Sequence, residues 1–109
     1  MNVIEKSSGT HIAYDTTTTS VIFGDEDLSI NLKNREKDDP VTIDICLDKD
    51  GELTMGTASG YKYAAQVLIP ARSYTTVEGD ADEDGNATYT QEAADFDIDN
   101  CTLYLFAID

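Results

Sequence analysis

The residues of this 109-residue chain with the clearest chemical potential are carboxylates, and their densest run is Asp80-Ala81-Asp82-Glu83-Asp84-Gly85-Asn86. Acids alternating through Asp80, Asp82 and Asp84, followed by Gly85 and Asn86, match the front of a calcium loop. A hard divalent cation takes about six to eight oxygens, and alternating aspartates can wrap one while the glycine permits the sharp turn. Asp80, Asp82, Asp84 and Asn86 are therefore the candidate metal ligands, with calcium the candidate ion. The match fails at its end, where Gln91 stands in place of the bidentate glutamate and Glu92 comes one residue late. The competing reading is a solvated acidic hairpin loop.

Other chemistry-bearing residues are more scattered. Asp48, Asp50 and Gly51 repeat part of the calcium pattern, but an Asp-Gly pair is explained by hairpin geometry. Asp95, Asp97 and Asp99 have period two and would form a one-sided carboxylate ladder on an exposed strand. His11 is the one histidine, and its spacing from Cys46 and Cys101 fits no zinc pattern. No serine elbow or phosphate loop is present. Tyr61, Tyr63 and Tyr74 lie in or near an acid-poor stretch and would offer a sugar-stacking surface if they shared one face. No catalytic residue is identified, and a non-enzymatic protein is expected.

Charge narrows the partners. Seven basic against twenty-two acidic residues give a net charge of −15. Nucleic acid and anionic membranes would be repelled, because both require a basic face. The expected partners are proteins, either another protein with a basic surface or a second copy of this chain. Charge is also uneven: residues 53–77 hold no acid and two bases, whereas residues 73–109 hold ten acids and no base.

The elements that must position these residues read as strands. Thr10–Tyr14 and Thr19–Phe23 are short β-prone runs around a threonine tract, and Leu28, Ile30 and Leu32 alternate with polar residues. Val41, Ile43, Ile45 and Leu47 alternate with Thr42, Asp44 and Cys46, which predicts a strand with one buried and one wet face. Asp48-Lys49-Asp50-Gly51 is a turn signal into Glu52–Met55. Tyr61–Ile69, Arg72–Val77, Ala87–Thr90 and Cys101–Ile108 complete the set; Tyr61 to Leu68 could also form a two-turn helix, but Pro70 biases Ile69 to an extended conformation and favours the strand. The prediction is an all-β fold, an antiparallel β-sandwich or small barrel of about eight short strands, as a single domain over residues 1–109. The closing strand is apolar on both faces; a central strand covered by a loop would explain this within one chain, and contact with another subunit at a terminal, readily edge-placed strand would explain it equally well, which marks Tyr104, Phe106 and Ile108 as candidate interface residues.

Two stretches carry a resemblance, Val67-Leu68-Ile69-Pro70-Ala71-Arg72-Ser73-Tyr74 and Asp97-Ile98-Asp99-Asn100-Cys101-Thr102-Leu103-Tyr104-Leu105-Phe106-Ala107-Ile108. With an acidic segment between them, they resemble small uncharacterised proteins encoded in prophages and mobile elements of Gram-positive bacteria. The resemblance covers residues from Val67 onward and carries no functional residue across. It implies a phage particle component or small interaction protein. The expected function is a structural or binding module. The alternatives are a cation-stabilised recognition module and an acidic inhibitor or nucleic-acid mimic. No secretory signal is read at Met1–Lys6, so a cytoplasmic or virion-associated location is expected, with both thiols reduced.

Overall fold

In the computed structural model, which describes residues 1–57 and 62–108, strands alternate along the chain with short turns. The order is β1 (Asn2–Glu5), β2 (Tyr14–Thr16), β3 (Ser20–Phe23), β4 (Leu28–Asn31), β5 (Val41–Leu47), β6 (Leu53–Met55), β7 (Lys62–Ile69), β8 (Tyr74–Glu78), β9 (Tyr89–Ala93) and β10 (Thr102–Leu105). Short 3-10 turns cover Lys33–Arg35 and Ile98–Asn100. Among the described residues, no helix is long and apolar enough to cross a membrane.

The fold is all-β, but its strands are divided differently from the expectation. Among the described residues, ten strands form three sheets in place of about eight in one sandwich or barrel. The largest sheet has the order β1-β10-β7-β5-β6, the second β2-β3-β4, and β8 and β9 pair only with each other. The arrangement is not wholly antiparallel either. β1 runs parallel to β10, with Val3 opposite Leu103. A parallel pair needs a long connection, and here nearly the whole chain supplies it.

One core joins the two larger sheets. Val21, Phe23, Ile30 and Leu32 come from β3, β4 and the residue after β4. Ile43, Ile45, Ala65, Val67, Ile69, Leu103 and Leu105 come from β5, β7 and β10. Alternation explains the choice: Val67 lies between Ile43 and Leu103 across the large sheet, so all three point inward. Burying such side chains contributes about 1.5–3 kcal/mol each.

Local departures have local causes. In the β5–β7 ladder, Ile45 pairs with Ala65 but Cys46 pairs with Tyr63, so Ala64 is an extra, bulged residue. Cys46, expected on a wet face, is buried there. The threonine tract turns the chain after β2: Thr17 Oγ1 accepts from the Thr19 and Ser20 amides at 3.3 and 3.0 Å. Asp95, Asp97 and Asp99 form no strand ladder. Asp97 caps the 3-10 turn instead, its Oδ1 accepting from Asp99 N at 3.0 Å, and Asp99 receives the N-terminal ammonium at 3.2 Å.

The molecule is far from spherical. Its extents are 67 × 24 × 22 Å and its radius of gyration 18.8 Å, against about 13 Å for a compact chain of this length. The β8–β9 hairpin accounts for the elongation. All ten of its strand residues are exposed, and nine residue steps from Ser73 to Asp82 span about 30 Å in extended chain.

Candidate functional site

The hairpin is an arm. Its strands lack the alternating apolar residues that would require a core: Thr75, Thr76, Thr90, Gln91 and Glu92 are polar. β-branched threonines favour the extended backbone without asking for burial. Tyr74, Thr76 and Glu78 share one face of the arm with Ala93, Gln91 and Tyr89, by their pairing. Among the described residues, Tyr89 is the most solvent-exposed large apolar side chain, at 64%. Residues 73–94 carry six acids, Glu78, Asp80, Asp82, Glu83, Asp84 and Glu92, and no base.

The tip closes with backbone chemistry that also explains the calcium-like spacing. Asp82 Oδ1 accepts from the amides of Asp84 and Asn86, each at 2.9 Å, and Gly85 donates to the Asp82 carbonyl at 3.0 Å. Asp48 does the same at the β5–β6 turn, accepting from Asp50 and Glu52 at 2.8 and 2.9 Å, with Gly51 donating to its carbonyl at 3.0 Å. Gly85 and Gly51 have φ of 79° and 81°, the left-handed conformation that ends a three-residue hairpin loop. The shared Asp-x-Asp-Gly spacing is thus a turn motif used twice. Asp80, Asp82, Asp84 and Asn86 are all exposed at the tip. Among the described residues, no three His, Cys, Asp or Glu side chains are grouped to hold a metal ion.

The foot of the arm is fastened to the segment before β5. The Arg72 amide donates to the Lys37 carbonyl at 2.7 Å, and its guanidinium reaches the Glu36 carbonyl at 2.9 Å and Glu36 Oε1 at 3.5 Å. Asp38 accepts from the Tyr74 hydroxyl and lies 3.6 Å from Arg72 Nη1. Tyr74 contributes most to holding the guanidinium charged, pushing the Arg72 pKa up. Beside this foot is an open cleft of about 480 Å³, lined by Ser29, Asn31, Asn34, Arg35, Lys37 and Val41 among others. It contains no acid.

The expected interface residues lie elsewhere. Tyr104, Phe106 and Ile108 are half-buried, with Tyr104 on the outer face of the large sheet. β10 is not an edge strand, since β1 and β7 flank it, and it ends at Leu105 instead of continuing to Ile108. Neighbours within the chain partly cover the three residues. Tyr63 tilts against Phe106 at 5.6 Å between ring centres, Lys6 Nζ sits 4.8 Å over Tyr104, and Ile108 lines a second cleft with Ile12, Leu47 and Leu53. The outer face nearby also carries a Gln66–Asp44 hydrogen bond of 2.8 Å.

The remaining candidates do not converge. Tyr63 is on the large sheet and Tyr74 on the arm, so they share no surface; Tyr61 lies outside the described residues. His11 Nε2 donates to the Ser7 carbonyl at 2.7 Å, and its Nδ1 is 3.7 Å from Glu5. Cys46 and Cys101 are buried free thiols, and desolvation pushes both pKa values up. Because Thr42, Leu68 and Thr102 align across the sheet, Cys101 lies near the Val41 end, five residues from Cys46 along the strands. Compared with family models, curated proteins and solved structures, the chain shows no match to any of them.

Proposed function

We propose that the protein is a non-enzymatic structural module that docks on a basic protein surface through its acidic hairpin arm. One observation carries this reading: β8 and β9 project as a two-stranded ribbon with every strand residue exposed. A lone two-stranded hairpin is marginally stable in water, and its outer edges present unpaired amides and carbonyls. The Arg72–Glu36–Asp38–Tyr74 cluster nevertheless aims it away from the body. Its charge is wholly negative, so the complementary surface is basic.

The test compares binding of poly-lysine to three proteins. In the first variant, Asn-Gly replaces residues 78–89. Val77 and Thr90 face each other in the ladder, so a two-residue turn can close there. This removes five acids, taking the net charge from −15 to −10. In the second, Asp25, Glu26, Asp50, Glu52 and Asp95, all exposed on the body, become amides, giving the same −15 + 5 = −10. Shortening the arm is expected to abolish low-salt binding while the amidated body retains it. Equal binding by the two variants would show that net charge, not the arm, does the recognising.

A further inference from the structure

We propose that the arm's partner is a second copy of this chain, in a two-fold dimer whose arms lie antiparallel, each acidic tip against the other copy's basic foot. This rests on the reading of the arm as a docking element and names its occupant.

The charges of the chain supply the complement. Of seven basic residues, Arg72 is held by Glu36 and Asp38, Lys6 lies over Tyr104, Lys62 donates to the Ile108 carbonyl at 3.2 Å, and Lys49 is exposed between Asp48 and Asp50 in the β5–β6 turn. Lys33, Arg35 and Lys37 are exposed and make no side-chain hydrogen bond or ion pair with the described residues. These three stand within five residues, and Arg35 and Lys37 line the acid-free cleft. Glu36 and Asp38 in the same segment share the charge of Arg72, so with Asp39 the foot holds four bases against three acids, and its three bases other than Arg72 are the ones that point to solvent.

Reach decides which copy they serve. Lys37 is bonded to Arg72 at the foot, and the tip stands about 30 Å away along an extended ribbon. The tip of a molecule therefore meets these bases on another molecule. When two arms lie antiparallel, both tips reach both feet at once, and the assembly closes as an isologous pair, the commonest symmetry of oligomers. The arms' unpaired edges are then side by side. The two-fold falls midway between Ser73 and Asp82, level with Val77 and Glu78, and Tyr89 is the cross-strand partner of Glu78. Both copies of the arm's most exposed aromatic thus approach the axis, where burial would be most effective.

The experiment uses charge exchange. One variant reverses the foot, with Lys33→Glu, Arg35→Glu and Lys37→Glu. The other reverses the tip, with Asp80→Lys, Glu83→Lys and Asp84→Lys, sparing Asp82, which shapes the turn. Sedimentation at about 20 mM salt is expected to show a wild-type dimer that dissociates by about 0.5 M, where the screening length falls to a few Å. Each variant alone is expected to dimerise at least about 100-fold more weakly. Mixed one to one, they are expected to restore a dimer containing one of each, since both tip–foot contacts are again opposite in sign. A Tyr89→Cys protein should be joined into covalent dimers by a short bis-maleimide, since both native thiols are buried.

Variants that dimerise as the wild type does, or a mixture that fails to recover, would overturn the proposal. A mixture growing into longer alternating chains would replace the closed pair with an open head-to-tail assembly. A monomeric wild type at low salt would also overturn it, yet leave the docking arm standing if shortening the arm still abolishes poly-lysine binding.

Discussion

Shortening the arm should leave the body as stable as before. In the variant with Asn-Gly in place of residues 78–89, every removed residue except Thr88 is exposed, and none belongs to the core. The lost hydrophobic contribution is therefore close to zero at about 25 cal/mol per Å² of buried apolar surface. The removed turn bonds are local and leave with the residues they served. Electrostatics works the other way. Five fewer acids relieve a chain of net charge −15, and one like-charged pair about 10 Å apart in water costs about 0.4 kcal/mol before screening. The unfolding free energy of the monomer should consequently change by less than about 1 kcal/mol, with any gain confined to low salt. Urea denaturation at about 0.5 M salt, where charge interactions are screened, is the assay, with Leu103→Ala as the contrast. Leu103 is fully buried, so that truncation should cost about 2–5 kcal/mol. A shortened protein that loses more than about 2 kcal/mol would refute the separation of arm and body, because exposed strands cannot contribute that much.

Four further outcomes follow from the same structure. Phe106→Ala should cost about 1 kcal/mol through its tilted contact with Tyr63, and Phe106→Glu should remain folded by circular dichroism; unfolding would place the ring in the core. Added sodium chloride should raise the melting temperature of the shortened monomer near pH 7 by screening repulsion among its acids; a flat or falling trend contradicts this. Burial raises both thiol pKa values above 9.0, so the folded state keeps its protons as the unfolded state loses them and stability should fall as pH climbs past about 9. Replacing both cysteines by alanine should flatten that decline, and an unchanged slope would assign it to other groups. A calcium site at the tip would show as a rise in melting temperature with millimolar calcium, following RT ln(1 + [L]/Kd), that disappears in Asp80→Asn/Asp84→Asn. Equal shifts in both proteins would reduce the effect to screening.

The all-β class and the large sheet's inner face were legible in the chain, because strand alternation is a local property. Val41 to Leu47 alternate in period two, and the structure buries Ile43 and Ile45. The Asp-Gly turns were equally local, since Asp48 and Asp82 bond amides only two and four residues ahead. The arm left a weaker trace, visible as strands without an apolar face, in Tyr74–Glu78 and Tyr89–Ala93. Periodicity says that such a segment is extended, but not whether another sheet lies above it. The place of β10 was likewise undecided by its own residues. Its two apolar faces suit an exposed edge or a covered centre, and it is the parallel pairing of β1 from the opposite end of the chain that makes it central. Cys46 became buried through a bulge at Ala64 in a different strand. Local spacing determined which segments extend and which turn. Contacts between residues far apart in sequence decided which strands are covered, where the basic foot lies, and that the acidic tip stands clear of it. A ribbon held at its foot by Arg72 and Tyr74 carries its acidic tip away from the body.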